Sequence, residues 1–196
     1  MATREIQVLV FAFVGAPAAG KTEAALVAKE MGIPVITMGG VIREELRKRG
    51  LPLSDENAGR VANELREGEG MDAIAKRCVP LIKEEKKSAG KNKKVIVVDG
   101  IRGIAEVETF KKEFGDDFVL VRVDAPLQLR YKRIKTRGRG DDVLSVEEFK
   151  NREKRELGWG MEEAMKKASR VIKNEGSLEE FKEQIKGILL RYSFKH

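Results

Sequence analysis

The sequence predicts an α/β fold, a parallel sheet with helices on both faces. Three observations carry this. Apolar, β-branched runs at residues 6–14, 33–37, 95–98 and 117–123 and in "ASRVIK" are separated by stretches with helical patterning. The first run, "IQVLVFAFV", is too continuous for a strand with one wet face and reads as a central strand buried on both. Directly after it the chain turns through glycines into a lysine, a threonine and a helix.

In chain order, residues 21–31 read as a helix and 33–37 as a short strand. Gly39 and Gly40 read as a joint before the helix of "VIREELRKRG", which ends at Gly50. Ser54 is the expected cap of a helix running to about Gly68, and residues 72–88 form a long amphipathic helix with Pro80 as a point of kinking. The strand at 95–98 places Asp99 at its carboxyl end, a helix covers 105–114, and the strand of "DFVLVRV" ends near Asp124. Pro126 opens a helix running into "KRIKTRGRGDD". Ser145, with Glu148 three residues on, is a capping-box pattern. "ASRVIK" closes the sheet, residues 174–176 turn, and Ser177 caps a final helix.

A chain of 196 residues suits one domain, and 41% apolar with 36% charged residues excludes a disordered or membrane-spanning class. The polar N-terminus reads as carrying no signal peptide. One cysteine excludes an internal disulfide, one cysteine with one histidine argues against structural zinc, and a cytoplasmic setting fits both. The net charge of +7 is either a solvated, salt-laced surface or a pull on polyanions, nucleic acid or phosphorylated small molecules.

Gly15-Ala16-Pro17-Ala18-Ala19-Gly20-Lys21-Thr22 fits G-x-x-x-x-G-K-[ST] between a strand and a helix. In such a loop the backbone N–H groups point inward and hold the β-phosphate of a nucleoside triphosphate. Gly15 and Gly20 permit the turn, Lys21 bridges the β- and γ-phosphates, and the Thr22 hydroxyl ligates Mg²⁺. Ligands of open parallel sheets bind at the carboxyl ends of strands, where Asp99 sits. Its carboxylate can hold Mg²⁺ through water, or orient or deprotonate an acceptor hydroxyl. Arg102 in "DGIR" can fork onto a carried phosphate. Arg130, Arg133, Arg137 and Arg139 crowd into ten positions, and Gly138 and Gly140 loosen the chain around Arg139, as closure on a transferring group requires. "NREKRELGWG" adds Arg152 and Arg155. Arg43, Asn57, Arg60 and Asn63 are candidates for an acceptor pocket.

The set "GAPAAGKT", "GIPVITMGGVIREE", "DGIRGIAEVETF", "RIKTRGRGDD", "RELGWG" and "VIKNEGSLEEF" resembles, over nearly the whole chain, an archaeal P-loop family described as dephospho-coenzyme-A-kinase-like or adenylate-kinase-like. The resemblance implies a nucleoside-monophosphate-kinase-like P-loop NTPase fold: a five-stranded parallel sheet between helices, an acceptor-binding helical region and a short lid. One kinase domain would then cover residues 1–196, with 39–90 as the acceptor-binding region and 133–158 as the lid region. By the same resemblance Arg102 touches the acceptor phosphate, Arg133 and Arg137 flank the lid, Arg139 and Arg155 clamp transferring phosphates, and the turn with Asn174 and Gly176 holds adenine. Two departures stand out. Where the relatives have "MGD" or "TGD", this chain has Met38-Gly39-Gly40, and the lid lacks zinc-binding cysteines.

The reading is a Mg-ATP-dependent small-molecule kinase, monomer or homodimer, acting on a small phosphorylated or nucleotide-like acceptor of the nucleotide or dephospho-coenzyme-A type. Its catalytic set is Lys21, Asp99, Arg137, Arg139 and Arg155. The ATP site is residues 15–22 with Arg133, Asn174 and Gly176, the acceptor site is Arg43 and Arg102, and the Mg²⁺ site is Thr22 and Asp99. No membrane partner is expected. The alternative is a nucleotide-dependent ATPase or switch acting on RNA or a protein. A GTPase is disfavoured, because Asn92-Lys93-Lys94-Val95 lacks the aspartate that reads guanine.

Overall fold

The computed structural model describes residues 8–88, 95–137 and 145–193. Five parallel strands, β1 (Leu9–Val14), β2 (Val35–Thr37), β3 (Val95–Asp99), β4 (Phe118–Asp124) and β5 (Arg170–Lys173), form one sheet in the order β2-β3-β1-β4-β5. β1 is central, with Phe11 opposite Val97 of β3 and Val119 of β4. The chain leaves β1 toward one edge, returns through β3, and crosses to β4 on the other side. The crevice where these paths diverge opens at the carboxyl end of β1, where open α/β sheets bind their ligands.

The helices are α1 (Lys21–Glu30), α2 (Met38–Lys48), α3 (Asp55–Glu69), α4 (Ala73–Ser88), α5 (Ile104–Phe114), α6 (Leu127–Arg137), α7 (Val146–Glu156), α8 (Glu162–Lys166) and α9 (Leu178–Ser193). A π-helical turn, Leu157–Met161, joins α7 to α8. β1 feeds both cores by the alternation of a strand. Val10, Ala12 and Val14 join Ile74, Cys78 and Ile82 of α4 and Phe110 of α5, whereas Phe11 and Phe13 join Val27 of α1 and Phe181, Ile185 and Leu189 of α9. Both faces are dry, and β1 accordingly carries no polar side chain. Leu46, Val61, Leu65 and Ala73 form a third, smaller cluster among α2, α3 and the start of α4.

The expected glycine joint is not a joint. α2 begins at Met38, directly after β2, and Gly39 and Gly40 lie in its first turn. Two glycines argue for a break, but Thr37 caps the helix: its Oγ1 accepts from the Gly40 N–H at 3.2 Å. A Cβ at Gly40 would stand 2.7 Å from that Oγ1. Gly40→Asp is therefore expected to displace the cap, at a cost of about 1 kcal/mol, and to lower Tm by roughly 2–4 °C. An unchanged thermal melt would contradict this account of α2.

Pro80 lies inside α4 without ending it. The Ser145 capping box is present, with Glu148 N–H to Ser145 Oγ at 3.1 Å and Ser145 N–H to Glu148 Oε2 at 2.9 Å. Ser177 and Glu180 repeat the reciprocal pair at the start of α9.

Candidate active site

The loop between β1 and α1 is built as the motif requires. A Cβ on Gly15 would fall on the Val123 carbonyl oxygen. At Gly20, φ is +116°, and a Cβ would lie 2.5 Å from Asn174 Nδ2 and 3.2 Å from the Phe181 ring. Only glycine fits either place. Between them Ala18 holds φ +59°, a left-handed conformation that costs an alanine about 1–2 kcal/mol and persists only where neighbours over-determine it. Gly20 brings no side chain to the N-terminus of α1, which leaves those amides for an anion. Lys21 Nζ reaches back across the loop to the carbonyls of Gly15 at 2.7 Å and Ala16 at 3.0 Å. Thr22, in the first turn of α1, is exposed. Gly20→Ala is expected to cost about 1–3 kcal/mol in backbone strain and to abolish nucleotide binding, because the added methyl displaces Asn174. Calorimetric titration with ADP, beside a thermal melt, checks both effects.

Asp99 ends β3, in register with Thr37 of β2. Burial pushes its carboxyl above the ordinary carboxylate value, while the charges of Lys21 and Arg102 and the Gly100 N–H pull it back. Lys21 of the loop and Arg102 of "DGIR" therefore both lie within electrostatic reach of Asp99. Arg102 is exposed, and its backbone N–H donates to Glu106 Oε2 at 2.6 Å. Glu106 is 1% exposed, and its other oxygen accepts from Arg66 of α3 at 3.2 Å. Burial pushes this carboxyl up as well, opposed by the Arg102 N–H and by Arg66. Beside the pair opens a cleft of about 360 Å³ lined by Asn63, Arg66, Met71, Arg102, Ile104 and Glu106. Arg43 stands in the middle of α2, exposed, with NH2 3.5 Å from Thr37 Oγ1. Asn57 and Arg60 bond each other on α3 and do not line this cleft.

On the other flank, Asn174 is 5% exposed and its amide is bonded at both its nitrogen and its oxygen. Nδ2 donates to the Ala19 carbonyl at 2.8 Å, and Oδ1 accepts from Arg133 NH2 at 2.8 Å. Asn174 thus braces the back of the phosphate loop and ties Arg133 to it, a role the turn's sequence does not announce. Gly176 lies in the following turn, against Glu180. Arg130 is 6% exposed and equally committed: Nε to the Ala125 carbonyl at 2.9 Å, NH1 to the Pro17 carbonyl at 3.2 Å and NH2 to Glu153 Oε1 at 2.6 Å.

The structure thus brings together residues 15–22, Asp99, Arg102, Arg133 and Asn174, with Arg43 at the carboxyl edge of the sheet. Arg139 lies outside the described residues, as do residues 92–94. Of Arg137, Arg152, Arg155 and Trp159 only the backbone, in α6, α7 and the π-helical turn, is described. Sequence reasoning missed Arg66 and Glu106. The one available signal was the spacing of Glu106 four residues after Arg102, one helical turn away. Cys78 is a core group, its thiol pushed up by burial to about 12, too high for a nucleophile.

A parallel sheet of this order, with a glycine cradle between its central strand and the first helix, defines a P-loop protein with a kinase-like fold. The chain belongs to the AAA domain family, which matches residues 14–150, and to the archaeal UPF0200 family. It is 57% identical over 186 residues to the UPF0200/UPF0201 protein of Archaeoglobus fulgidus, covering 95% of this chain and 56% of that one; it spans just over half the length of that relative. It is 50% identical over 183 residues to a UPF0200 protein of Methanosarcina barkeri, covering 93% and 95% of the two chains. Among solved structures, the dephospho-CoA kinase from Campylobacter jejuni superposes with a TM-score of 0.57 at 20% identity, over 94% of this chain and 96% of that one, a likeness of fold. Among the described residues no helix is long and apolar enough to cross a membrane.

Proposed function

We propose that this chain is a Mg-ATP-dependent kinase that moves the γ-phosphoryl group onto a small phosphorylated or nucleotide-like acceptor. One arrangement supports the reading: the half-buried carboxyl of Asp99 lies within electrostatic reach of both Lys21, at the phosphate cradle, and Arg102, which lines a separate cleft. A switch or simple ATPase needs the cradle alone, whereas a kinase needs two sites meeting at one reacting centre.

The loop amides and the N-terminus of α1 would hold the β-phosphate, and Lys21 would swing from the Gly15 and Ala16 carbonyls onto the β- and γ-phosphates. Asp99 would orient the attacking oxygen of the acceptor, and Arg102 and Arg43 would hold the acceptor's phosphate. Arg133 and the segment with Asn174 and Gly176 would border the nucleotide, and Arg137, Arg139 and Arg155 would close over the transferring group. The donor set fits Mg²⁺, because the Thr22 hydroxyl and the Asp99 carboxyl lie at the same end of the sheet. Among the described residues no cluster of three or more acidic, histidine or cysteine groups would hold a metal ion by itself, which matches an ion that phosphate oxygens complete. Bound there, Mg²⁺ would neutralise developing phosphate charge. The region 39–90 would serve as the acceptor-binding part and 133–158 as the lid of a single kinase domain.

Transfer from γ-labelled ATP with Mg²⁺ tests the reading, run against dephospho-coenzyme A, AMP, CMP, UMP, their deoxy forms and water alone. A labelled acceptor names the substrate class. Free phosphate alone across the panel would replace the kinase reading with the ATP-dependent switch.

A further inference from the structure

We infer that Arg130 is a positioning residue of the phosphate cradle: it aims the Ala18 amide at the phosphates and ties the cradle to α7. The inference rests on the nucleotide-binding part of the reading above and adds a residue outside the sequence motif.

A trans peptide is planar, so the C=O of one residue and the N–H of the next point in opposite directions. Whatever pulls a loop carbonyl outward turns the following N–H inward. Pro17 is buried, and its carbonyl needs a donor. Arg130 NH1 supplies one from outside the loop, at 3.2 Å. The same peptide plane carries the Ala18 N–H, which is thereby turned toward the cradle. Ala18 is also the residue held at φ +59°, where an alanine does not stay unaided. The next plane but one is fixed in the same way, by Asn174 Nδ2 on the Ala19 carbonyl. Two loop peptides are thus each held from behind by one buried polar side chain.

Arg130 is itself fixed on every side. Nε bonds the Ala125 carbonyl, NH2 bonds Glu153 of α7, and the guanidinium lies 5.5 Å from the centre of the fully buried Phe149 ring, also of α7. A planar fork spreads its donors over separated segments, here three at once, whereas a lysine presents all of its donors at a single nitrogen. Rotation of the Pro17–Ala18 peptide therefore requires movement of a group that α7 holds.

The test is calorimetric titration of the full chain with Mg·ADP and with pyrophosphate, alongside thermal melts. Two variants are compared with wild type. Arg130→Lys keeps a charge for Glu153 but cannot also reach Pro17. Arg130→Gln/Glu153→Gln removes both buried charges together, so that neither is left unpaired. Each is expected to bind both probes about tenfold or more weakly, while Arg130→Lys melts within a few degrees of wild type. Loss on pyrophosphate as well as on ADP places the effect at the phosphates, which a merely structural role would not do. Wild-type affinity for both probes in either folded variant would overturn the inference. Failure of the wild-type chain to bind either probe would overturn the nucleotide-site reading as well, so the two failures are told apart.

Discussion

Lys21→Ala is expected to lower phosphoryl transfer by about 10²–10³ and to leave the fold intact. The side chain sits at the loop mouth, half-buried, and its bonds run to two loop carbonyls. Water can satisfy those carbonyls when the ammonium is removed, and alanine is a good residue for the first turn of a helix. On the proposed reading, what cannot be replaced is a cation placed where charge develops on the transferring group. Removing one such contact costs about 10²–10³ in kcat in comparable sites. Labelled transfer measures the loss, and a melting temperature within roughly 2 °C of wild type shows that it is not unfolding. Near-normal turnover in this variant would remove the cradle from catalysis.

Asp99→Asn should separate activity from stability. Burial raises the Asp99 pKa above its ordinary value, with Lys21 and Arg102 pulling against it. For an acid raised in the folded state, the sign is fixed. Folding is unpenalised below the unfolded pKa, where the group is protonated in both states. Stability is lost as pH rises through the folded pKa, because the charge must then be carried in a partly desolvated site. The asparagine variant should therefore melt above wild type at neutral pH, and the gap should close on acidification below the ordinary aspartate value. Transfer should fall in the same variant, since an amide can neither take up a proton nor hold a cation as a carboxylate does. Melts across pH beside labelled transfer check both halves. A variant that is less stable at neutral pH would show Asp99 to be a structural ion-pair partner instead. The two predictions are coupled: without Lys21 a main counter-charge of Asp99 is lost, so its pKa should rise further in Lys21→Ala.

The parts of the fold legible in the sequence were those with local causes. "IQVLVFAFV" reads as a doubly buried strand and its described part holds one, Leu9–Val14, while Ile6 and Gln7 lie outside the described residues; Ser145 with Glu148 carries its cap within four residues. The phosphate loop was legible because its glycines answer steric demands that no other residue meets. What escaped had distant causes. Gly39 and Gly40 argue locally for a break, yet the hydroxyl of Thr37 makes them the first turn of α2. Glu106 has the polarity of a surface residue and is buried because Arg66, 40 residues away, folds over it. Arg130 and Arg133 are indistinguishable in a basic helix, and only the tertiary structure sends one to Pro17 and Glu153 and the other to Asn174. Asn174 could be placed near the nucleotide by resemblance, but its bracing of the loop depends on a contact 155 residues back along the chain.

The small cluster of Leu46, Val61, Leu65 and Ala73 bears on how such a chain can diversify. α2 and α3 carry an apolar nucleus distinct from the two that flank the sheet. Substitutions facing the cleft, at Asn63 or Met71, touch neither sheet core nor the cradle, so they spend little of the few kcal/mol by which a domain stays folded. On the kinase reading proposed above, one acceptor could then be exchanged for another there while the cradle for the donor stays unaltered.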